Sequence, residues 1–334
     1  MRTAIGRREL LVMGAGAAVA GWLDAPAPAA AQSLVPLSVG MGFHDLAGAA
    51  AWIARDRHGY EKYGLNVTLV SFQGGGRAIA AIVSGDAPIS LMGGSEVINA
   101  RSQGLPVQMI AGLVNRFLFD FVVAKHITSP AQLKGTKGAI SNFGATSEFA
   151  ARYALTKLGV NPNDVTLLQT GNETSRLQAL QSGQIQFTVL TPGLDHVAFD
   201  LGYKPLLRLY DLEQPYAQTV IGANTVWAKT HGAVIDVFLK AIVAASVYLK
   251  NPLNVAANLA MLHTELPVKE DLLRRSFQLY RERFYTTYPL VAPAGVEFIL
   301  REQKRTQPAA DFYDNSYVQA LMRANFAATV EQSP

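Results

Sequence analysis

The sequence predicts an α/β protein of two lobes, in which mainly parallel sheets are flanked by helices and a ligand cleft lies between the lobes. Short apolar segments alternate with helical segments from residue 35 to residue 190, a spacing typical of βαβ units. A strand, a glycine turn, a helix and a second strand follow one another between Val67 and Ser95. Part of the sequence pattern of this unit is repeated 98 residues later. The length of 334 residues suits two domains, each with its own core.

The first set of elements follows from apolar runs and from the residues that begin or end helices. Asp45 is a good N-cap for the helix after the first strand, and Gly85 and Gly104 end two later helices. The predicted strands are 35–41, 67–70, 87–92 and 107–113, and the predicted helices are 46–58, 78–83 and 96–103.

A second set of the same kind begins at Phe117, and a helical segment begins beyond Lys229. The helical segment is expected to pack on the outside of the lobes rather than to form another cleft. In the second set the predicted strands are 119–124, 137–140, 165–168 and 185–190, with a turn and helix at 129–135, a long helix that ends at Leu158 and a helix at 176–181; the later helices are 233–249, 254–262, 269–284 and 295–304.

The glycine turn at 74–77 is a candidate binding loop. A strand, glycine turn and helix direct backbone N–H groups and the positive end of the helix at one spot, which suits an anion. No Lys-Ser/Thr pair follows the glycines, and Ile79 stands where a dinucleotide motif needs its third glycine. We expect the backbone of Gly75 and Gly76 to contact a ligand. Arg77 either binds an anion or faces solvent from the first helical turn.

The repeat joins residues 81–85 to residues 179–183. Each copy ends a helix at a Ser-Gly pair, continues into a strand and reaches a turn eight positions after the glycine, at Gly93 and at Thr191. A duplicated α/β lobe explains this spacing, while chance similarity between two helix ends is the alternative. Two facing lobes bring both sets of strand-end turns to one cleft, because α/β sheets bind ligands beyond the carboxyl ends of their strands.

Residues 1–31 predict an export signal. Arg7 and Arg8 precede a short, weakly hydrophobic run, and an Ala-Ala-Ala cleavage site stands before Gln32. The arginine pair resembles a twin-arginine (Tat) signal, and ordinary Sec export is the alternative. Because the chain has no cysteine, we expect neither a lipid anchor nor disulfides, and therefore a free periplasmic protein.

Composition also bears on the classes of partner and site. The formal charge of +4 is small and no basic stripe is present, so no nucleic-acid partner is expected. The six histidines are scattered without metal-ligand spacing, so no metal and no cofactor are expected. The absence of cysteine and of a G-x-S-x-G motif leaves no nucleophile of those two kinds.

The chain resembles the periplasmic solute-binding proteins of ABC importers. The nearest groups are the aliphatic sulfonate, taurine and nitrate binders (SsuA-like) and the NMT1/THI5-like relatives that bind pyrimidine precursors. The segments that carry the resemblance lie in order along nearly the whole mature chain, at 59–67, 72–75, 81–85, 133–138, 171–183 and 311–318.

The resemblance implies a type II periplasmic-binding-protein fold with two crossovers, near 115–117 and near 220–222. Lobe I would comprise 34–117 plus 222–330, including the C-terminal helices, and lobe II would comprise 118–221. It also implies a monomer that hands a small solute to a membrane permease with its ATPase. Within such a family, the turn after strand 137–140 presents N–H and hydroxyl groups to the anionic end of a ligand, at Asn142, Gly144, Ala145 and Thr146; simple N-capping is the alternative.

Further candidate ligand contacts lie at strand ends and at the first crossover. Arg116 is either a charged ligand contact or part of a salt bridge across the hinge. Phe43 and His44 end the first strand, where they either contact the ligand or form a core phenylalanine and an exposed histidine. The strand-end turns add Ser95, Asn172 and Thr191.

The predicted function is therefore capture of a small organic anion, a sulfonate or an aromatic carboxylate, for an ABC transporter. The alternative solute is a neutral aromatic or pyrimidine-type compound that stacks on Phe43, Phe72 and Phe143. An exported enzyme of the same fold is the rival class. Related pyrimidine-precursor synthases and desulfinases depend on cysteine, which this chain lacks, so no enzymatic activity is expected.

Overall fold

The computed structural model describes residues 33–266 and 268–330. The predicted export signal at 1–31 lies outside the described residues. Strands and helices alternate in the first part of the described chain, and helices alone follow the last strand. The strands are β1 (Val35–Met41), β2 (Leu65–Ser71), β3 (Ile89–Met92), β4 (Val107–Arg116), β5 (Asp120–Val123), β6 (Lys137–Ile140), β7 (Thr166–Gln169), β8 (Phe187–Leu190), β9 (Lys204–Arg208) and β10 (Pro215–Asn224).

The α-helices cover the faces of the sheets and form the C-terminal part of the chain. They are α1 (Ala49–Asp56), α2 (Gly59–Lys62), α3 (Gly75–Ser84), α4 (Gly94–Ser102), α5 (Thr146–Lys157), α6 (Glu173–Gln181), α7 (Leu194–Asp200), α8 (Thr225–Ala228), α9 (Gly232–Lys250), α10 (Val255–Glu265), α11 (Glu270–Arg283), α12 (Pro293–Glu302) and α13 (Ser316–Arg323).

The strands form two five-stranded sheets with the same plan. The first has the order β2-β1-β3-β10-β4 and the second the order β7-β6-β8-β5-β9. In each sheet the fourth strand, β10 or β5, runs antiparallel to both of its neighbours, and the other pairs are parallel. The predicted α/β class with mainly parallel sheets is confirmed.

The repeat in the sequence occupies equivalent places in the two sheets. Its first copy ends α3 and leads into β3, and its second copy ends α6 and leads into β8, each the third strand of its sheet. Gly85 and Gly183, which stop the two helices, have φ angles of +87° and +74°. Glycine adopts this left-handed conformation without the steric cost that a Cβ brings.

The chain passes between the sheets at two places. The first passage lies between Arg116 and Asp120, within the region expected for the first crossover. The second lies between Arg208 and Pro215, whereas the resemblance implies 220–222. Those three residues lie inside β10, which belongs wholly to the first sheet. The lobe boundaries 34–117 plus 222–330 and 118–221 stay a prediction.

Several elements have no counterpart in the sequence prediction. Apart from the crossover implied near 220–222, it assigns no element between the turn at Thr191 and Lys229, where α7, β9, β10 and α8 lie, and it assigns no helix at α13. β10 is buried along almost its whole length, yet Gln218, Thr219 and Gly222 interrupt its apolar pattern. A strand covered on both faces carries no regular alternation of apolar and polar residues, so periodicity cannot identify it.

The long apolar helix α9 belongs to the core of the first set. Among the described helices it is the one long and apolar enough to cross a membrane. Ile235, Phe238 and Leu239 on this helix are nevertheless fully buried, and the ring of Phe238 stacks on that of Tyr60 with centroids 5.7 Å apart. We interpret α9 as a core helix.

An aromatic cluster joins the two passages between the sheets. Phe117, directly after β4, stacks on Tyr216 in β10 with ring centroids 4.0 Å apart. Phe149 and Tyr153 of α5 and Phe298 of α12 surround this pair, with centroids 5.1–6.3 Å from the ring of Tyr216 or Phe117. Offset and edge-on contacts of this kind favour one fixed packing of large side chains.

Replacing the central ring should destabilise the whole fold. We expect Phe117→Ala to lower the free energy of unfolding by about 3–5 kcal/mol, because it leaves a cavity in a fully buried cluster. Phe143→Ala is the matched control, since this side chain is 53% exposed, and should change the value by less than about 0.5 kcal/mol. Denaturant titration followed by circular dichroism measures both; equal effects would contradict the role of the cluster.

Candidate functional site

A cavity of about 380 Å³ lies where the strands of both sheets end. Its walls come from the loops after β1, β2 and β3 on one side and after β6 and β7 on the other, which is where α/β sheets bind ligands. Phe119, Gln218 and Thr219 complete it near the two passages. The remaining lining residues are Gly42, Phe43, His44, Asp45, Ser71, Phe72, Gln73, Gly74, Gly75, Gly93, Glu96, Ser141, Thr146, Ser147, Asn172, Glu173, Thr174, Arg176 and Leu194.

Two glycines allow Glu96 to reach this cavity. A Cβ on Gly75 would stand 2.5 Å from Oε1 of Glu96, and a Cβ on Gly93 would overlap both Glu96 and the hydroxyl of Thr146. A side chain at either position would displace the carboxylate. The glycine turn therefore serves close packing around Glu96 as well as the start of α3.

Hydrogen bonds connect the loops of the first sheet to those of the second. The hydroxyl of Thr146 donates to Oε2 of Glu96 at 2.7 Å. Nδ2 of Asn172 donates to Oε1 of Gln73 at 2.8 Å. Nδ2 of Asn99 donates to the carbonyl of Gly144 at 2.7 Å. These three contacts hold the two sides of the cavity together.

Three carboxylates, Asp45, Glu96 and Glu173, line the cavity. Burial raises the pKa of Asp45 to about 7, and the negative charge of Glu173 adds to the increase. Burial also raises the pKa of Glu96, although the hydrogen bond from Thr146 opposes the change. The pKa of Glu173 is raised by burial and lowered in part by the positive charge of Arg176. A buried carboxyl group resists ionisation unless a positive charge or donor approaches it.

Arg176, the one arginine among the lining residues, is bonded to its own loop and to strand β8. Its Nε donates to the hydroxyl of Thr188 at 3.2 Å, and Nη1 donates to the carbonyl of Gly171 at 3.0 Å. Its Nη2 donates to Glu173 at 3.3 Å and to the carbonyl of Val189 at 3.0 Å. Four of the five N–H donors of a guanidinium are thus used. With all groups ionised and His44 neutral, three carboxylates against one guanidinium give the wall a formal charge of −2.

Five of the thirteen predicted contact residues line the cavity: Phe43, His44, Gly75, Thr146 and Asn172. They come from both sheets, as the repeat predicts. Asn172 also caps α6 through its side chain. The role of each as a ligand contact stays a prediction.

The two arginines predicted to bind an anion lie elsewhere. Arg77 is exposed on the first turn of α3. Arg116 lies 3.9 Å from Glu213, and both side chains are exposed, which fits the hinge salt bridge rather than the ligand contact. Neither lines the cavity.

The other predicted residues contact protein groups around the cavity. The hydroxyl of buried Ser95 bonds to that of Tyr216 at 2.7 Å, and Thr191 donates to Glu173 at 2.9 Å. Gly76 faces the side chain of Asn142 across the two sets of loops. Gly144 and Ala145 line a separate cavity of about 440 Å³ beside α5.

The carboxylates are the functional candidates that the sequence analysis missed. Asp45 was interpreted as an N-cap, and it does accept a hydrogen bond from the backbone N–H of Ala47 at 2.7 Å. Glu96 begins the predicted helix 96–103, and Glu173 follows Asn172 in a strand-end turn, where the glycine and amide groups are the predicted ligand contacts. All three acids stand within four residues of the end of a parallel strand, and this position was the signal that could have identified them.

Comparison with known proteins identifies the family. A sequence profile described as "NMT1/THI5 like" matches residues 49–253. The chain belongs to the NMT1/THI5-like family. No curated protein sequence matches it significantly.

Solved structures similar to this NMT1/THI5-like protein share its fold. A protein from Bordetella bronchiseptica is 17% identical, with a TM-score of 0.76 over 87% of this chain and 98% of its own. The alkanesulfonate-binding protein SsuA from Xanthomonas axonopodis pv. citri, bound to MOPS, is 14% identical, with a TM-score of 0.71 over 86% and 98%. The ligand-binding component of an ABC-type import system from Staphylococcus aureus is 13% identical, with a TM-score of 0.71 over 90% and 100%. The predicted periplasmic-binding-protein fold is confirmed.

Removing the hydroxyl of Thr146 should weaken the contact between the two sides of the cavity. We expect Thr146→Val to lower the free energy of unfolding by about 1–3 kcal/mol, because Glu96 then loses its side-chain donor in a buried place. Thr156→Val on the exposed side of α5 is the control and should cost less than about 1 kcal/mol. Chemical denaturation measures the free energy of unfolding of both variants. Equal values for the two would contradict a stabilising role for the Thr146–Glu96 hydrogen bond.

The raised pKa of Asp45 should appear in the pH dependence of stability. The folded protein keeps this proton up to about pH 7, whereas the unfolded chain loses it near the ordinary value of 3.8. Stability therefore falls as the pH rises through this window. Asp45→Asn, which retains an N-cap, should reduce the fall between pH 5 and pH 8 by on the order of 1 kcal/mol, less than the full shift implies because Asp45 is partly exposed.

Thermal and denaturant unfolding at several pH values tests this change. The exposed aspartate Asp86 provides the control, and Asp86→Asn should reproduce the profile of the original protein. An Asp45→Asn profile that runs parallel to the original would contradict the assignment.

Proposed function

We propose that this protein is the periplasmic binding component of an ABC importer and that its solute is a planar nitrogen heterocycle, neutral or protonated. The observation that carries the proposal is the excess of carboxylate over basic groups in the wall of the cavity. The carboxylates of Asp45 and Glu96 would repel an anion bound in this cavity. They would accept hydrogen bonds from a solute with N–H donors.

The aromatic side chains of the cavity support a planar solute. Phe43 and Phe72 are partly exposed in its wall, and Phe119 lies near the passages. The face of an aromatic ring is negative and attracts a cationic heterocycle as well as stacking on a neutral one. A volume of about 380 Å³ suits a compact solute of this kind.

A small organic anion, such as a sulfonate, is the second candidate. The alkanesulfonate-binding relative supports it at the level of the fold, and the start of α3 presents backbone N–H groups near the cavity. The positions of Arg77 and Arg116 give it less support than the sequence analysis expected, because neither side chain lines the cavity.

Binding and delivery, rather than catalysis, suit the side chains at the site. His44 uses its Nε2 atom for a hydrogen bond with the carbonyl of Glu265 at 2.8 Å. The sequence contains no cysteine to act as one. Export by the predicted signal at 1–31 would bring the monomer to the periplasm, where it would present the solute to a permease and its ATPase.

Isothermal titration calorimetry can separate the two solute classes. We expect 4-aminopyridine or 4-aminopyrimidine to bind one per chain, and benzoate, butanesulfonate and nitrate not to bind. Glu96→Gln should weaken binding of the heterocycle by about tenfold or more, because a charge-assisted hydrogen bond is lost. Arg116→Ala, which alters a charge outside the cavity, should leave the affinity unchanged.

The pH dependence of binding gives an independent readout. Asp45 and Glu96 have raised pKa values, so they carry more negative charge as the pH rises. A protonated heterocycle should bind more tightly at pH 8 than at pH 6, and an anion should bind less tightly. Tight binding of butanesulfonate, weakened by Arg116→Ala, would overturn this proposal in favour of the anion.

A further inference from the structure

A second cavity adjoins the first and opens between α7 and the segment that joins α10 to α11. Its volume is about 530 Å³. His44, Thr174 and Leu194 belong to the walls of both cavities, so the two spaces adjoin at these three side chains. We name the first cavity the chamber and the second cavity the groove.

The walls of the groove are mainly aliphatic. Val197 and Leu201 face it from α7, and Leu266, Val268 and Leu272 face it from the other side. Leu201 remains 42% exposed, so an apolar group that covers it would gain free energy from the area removed from water.

The charged residues of the groove balance each other. Nζ of Lys269 lies 3.8 Å from Oδ2 of Asp200, and this ion pair joins the two walls. The groove thus offers no net charge to a charged group. This contrasts with the chamber, whose wall carries an excess of carboxylate.

His44 lies at the boundary between the chamber and the groove, and its ring is held in place by two contacts. Its ring lies 4.9 Å from that of Trp52, measured between centroids, and its Nε2 atom bonds to the carbonyl of Glu265. One contact comes from α1 and the other from the end of α10, and together they orient the imidazole. A solute that reaches from one space into the other must pass this ring.

We propose that the solute has two parts: a nitrogen heterocycle held in the chamber and an unbranched apolar substituent that passes His44 and lies in the groove. The inference rests on the proposed function for the heterocyclic part. It is carried by the adjacency of the two spaces, which share three wall residues, and by their different chemistry. The substituent would cover Leu201, Val268 and their aliphatic neighbours in the groove.

A matched pair of ligands tests the substituent. We expect 4-(hexylamino)pyridine to bind about 50-fold or more tightly than 4-(methylamino)pyridine, since each fully buried methylene group adds about fourfold to the affinity. Isothermal titration calorimetry at one pH measures both, and the pyridine group is common to the pair.

Substitutions in the groove test whether the additional affinity of the hexyl compound arises there. Leu201→Gln and Val268→Thr should weaken the hexyl compound by about tenfold and the methyl compound by less than about twofold. Leu253→Gln is the matched control, because Leu253 is 80% exposed and outside both cavities. It should leave both affinities unchanged, and thermal unfolding should show that all three variants are folded.

The outcomes separate this inference from the proposed function. If the methyl compound binds and the hexyl compound binds no more tightly, the proposal of an apolar substituent is wrong, and the proposal of a heterocyclic solute is kept. The same holds if the hexyl compound binds more tightly but the groove variants do not affect it. If neither pyridine binds, the proposed function is wrong and the two-part solute falls with it.

Discussion

The stacking of Phe117 on Tyr216 is the contact on which the arrangement of the molecule depends. These rings lie where the chain leaves the first sheet and where it has just returned to it. Side chains from α5 and α12 pack around them, so helices from both halves share one aromatic cluster. Because the two passages are held together here, the strand ends of both sheets face the same cavity. A close-packed cluster of this kind allows few alternative arrangements.

The two sheets share one plan but have different chemistry at their strand ends. In the first, a glycine turn begins α3 and lets a backbone approach Glu96. In the second, Asn172 caps α6 and Glu173 is held by Arg176 and Thr191. Duplicated geometry therefore produces two unlike walls. One is open and rich in backbone groups, while the other has its charges already paired.

The charge of the cavity favours a nitrogen heterocycle over an organic anion as the solute. An arginine near a cleft suggests an anion only when its N–H groups are free to reach the ligand. Here the guanidinium of Arg176 is bonded to its own loop and to strand β8, and Arg116 pairs with Glu213. Glu96 has no basic partner among the lining residues, and Arg176 acts on Asp45 through its charge without a hydrogen bond to it. A solute that donates hydrogen bonds fits this balance, and the neutral, aliphatic groove beside it fits an apolar substituent.

The sequence by itself determined the α/β class, the order of most strands and helices, the repeat and the family, because periodicity, caps and short motifs are local properties. It also identified the strand-end loops from which the cavity is built. Only the tertiary structure decided which side chains meet there. Whether Arg77 or Glu96 faces the cavity depends on how the start of α3 packs against α4. The strand β10 lies between β3 and β4, which are distant from it in the chain. The net charge of the cavity follows from such long-range packing, and local sequence patterns do not record it.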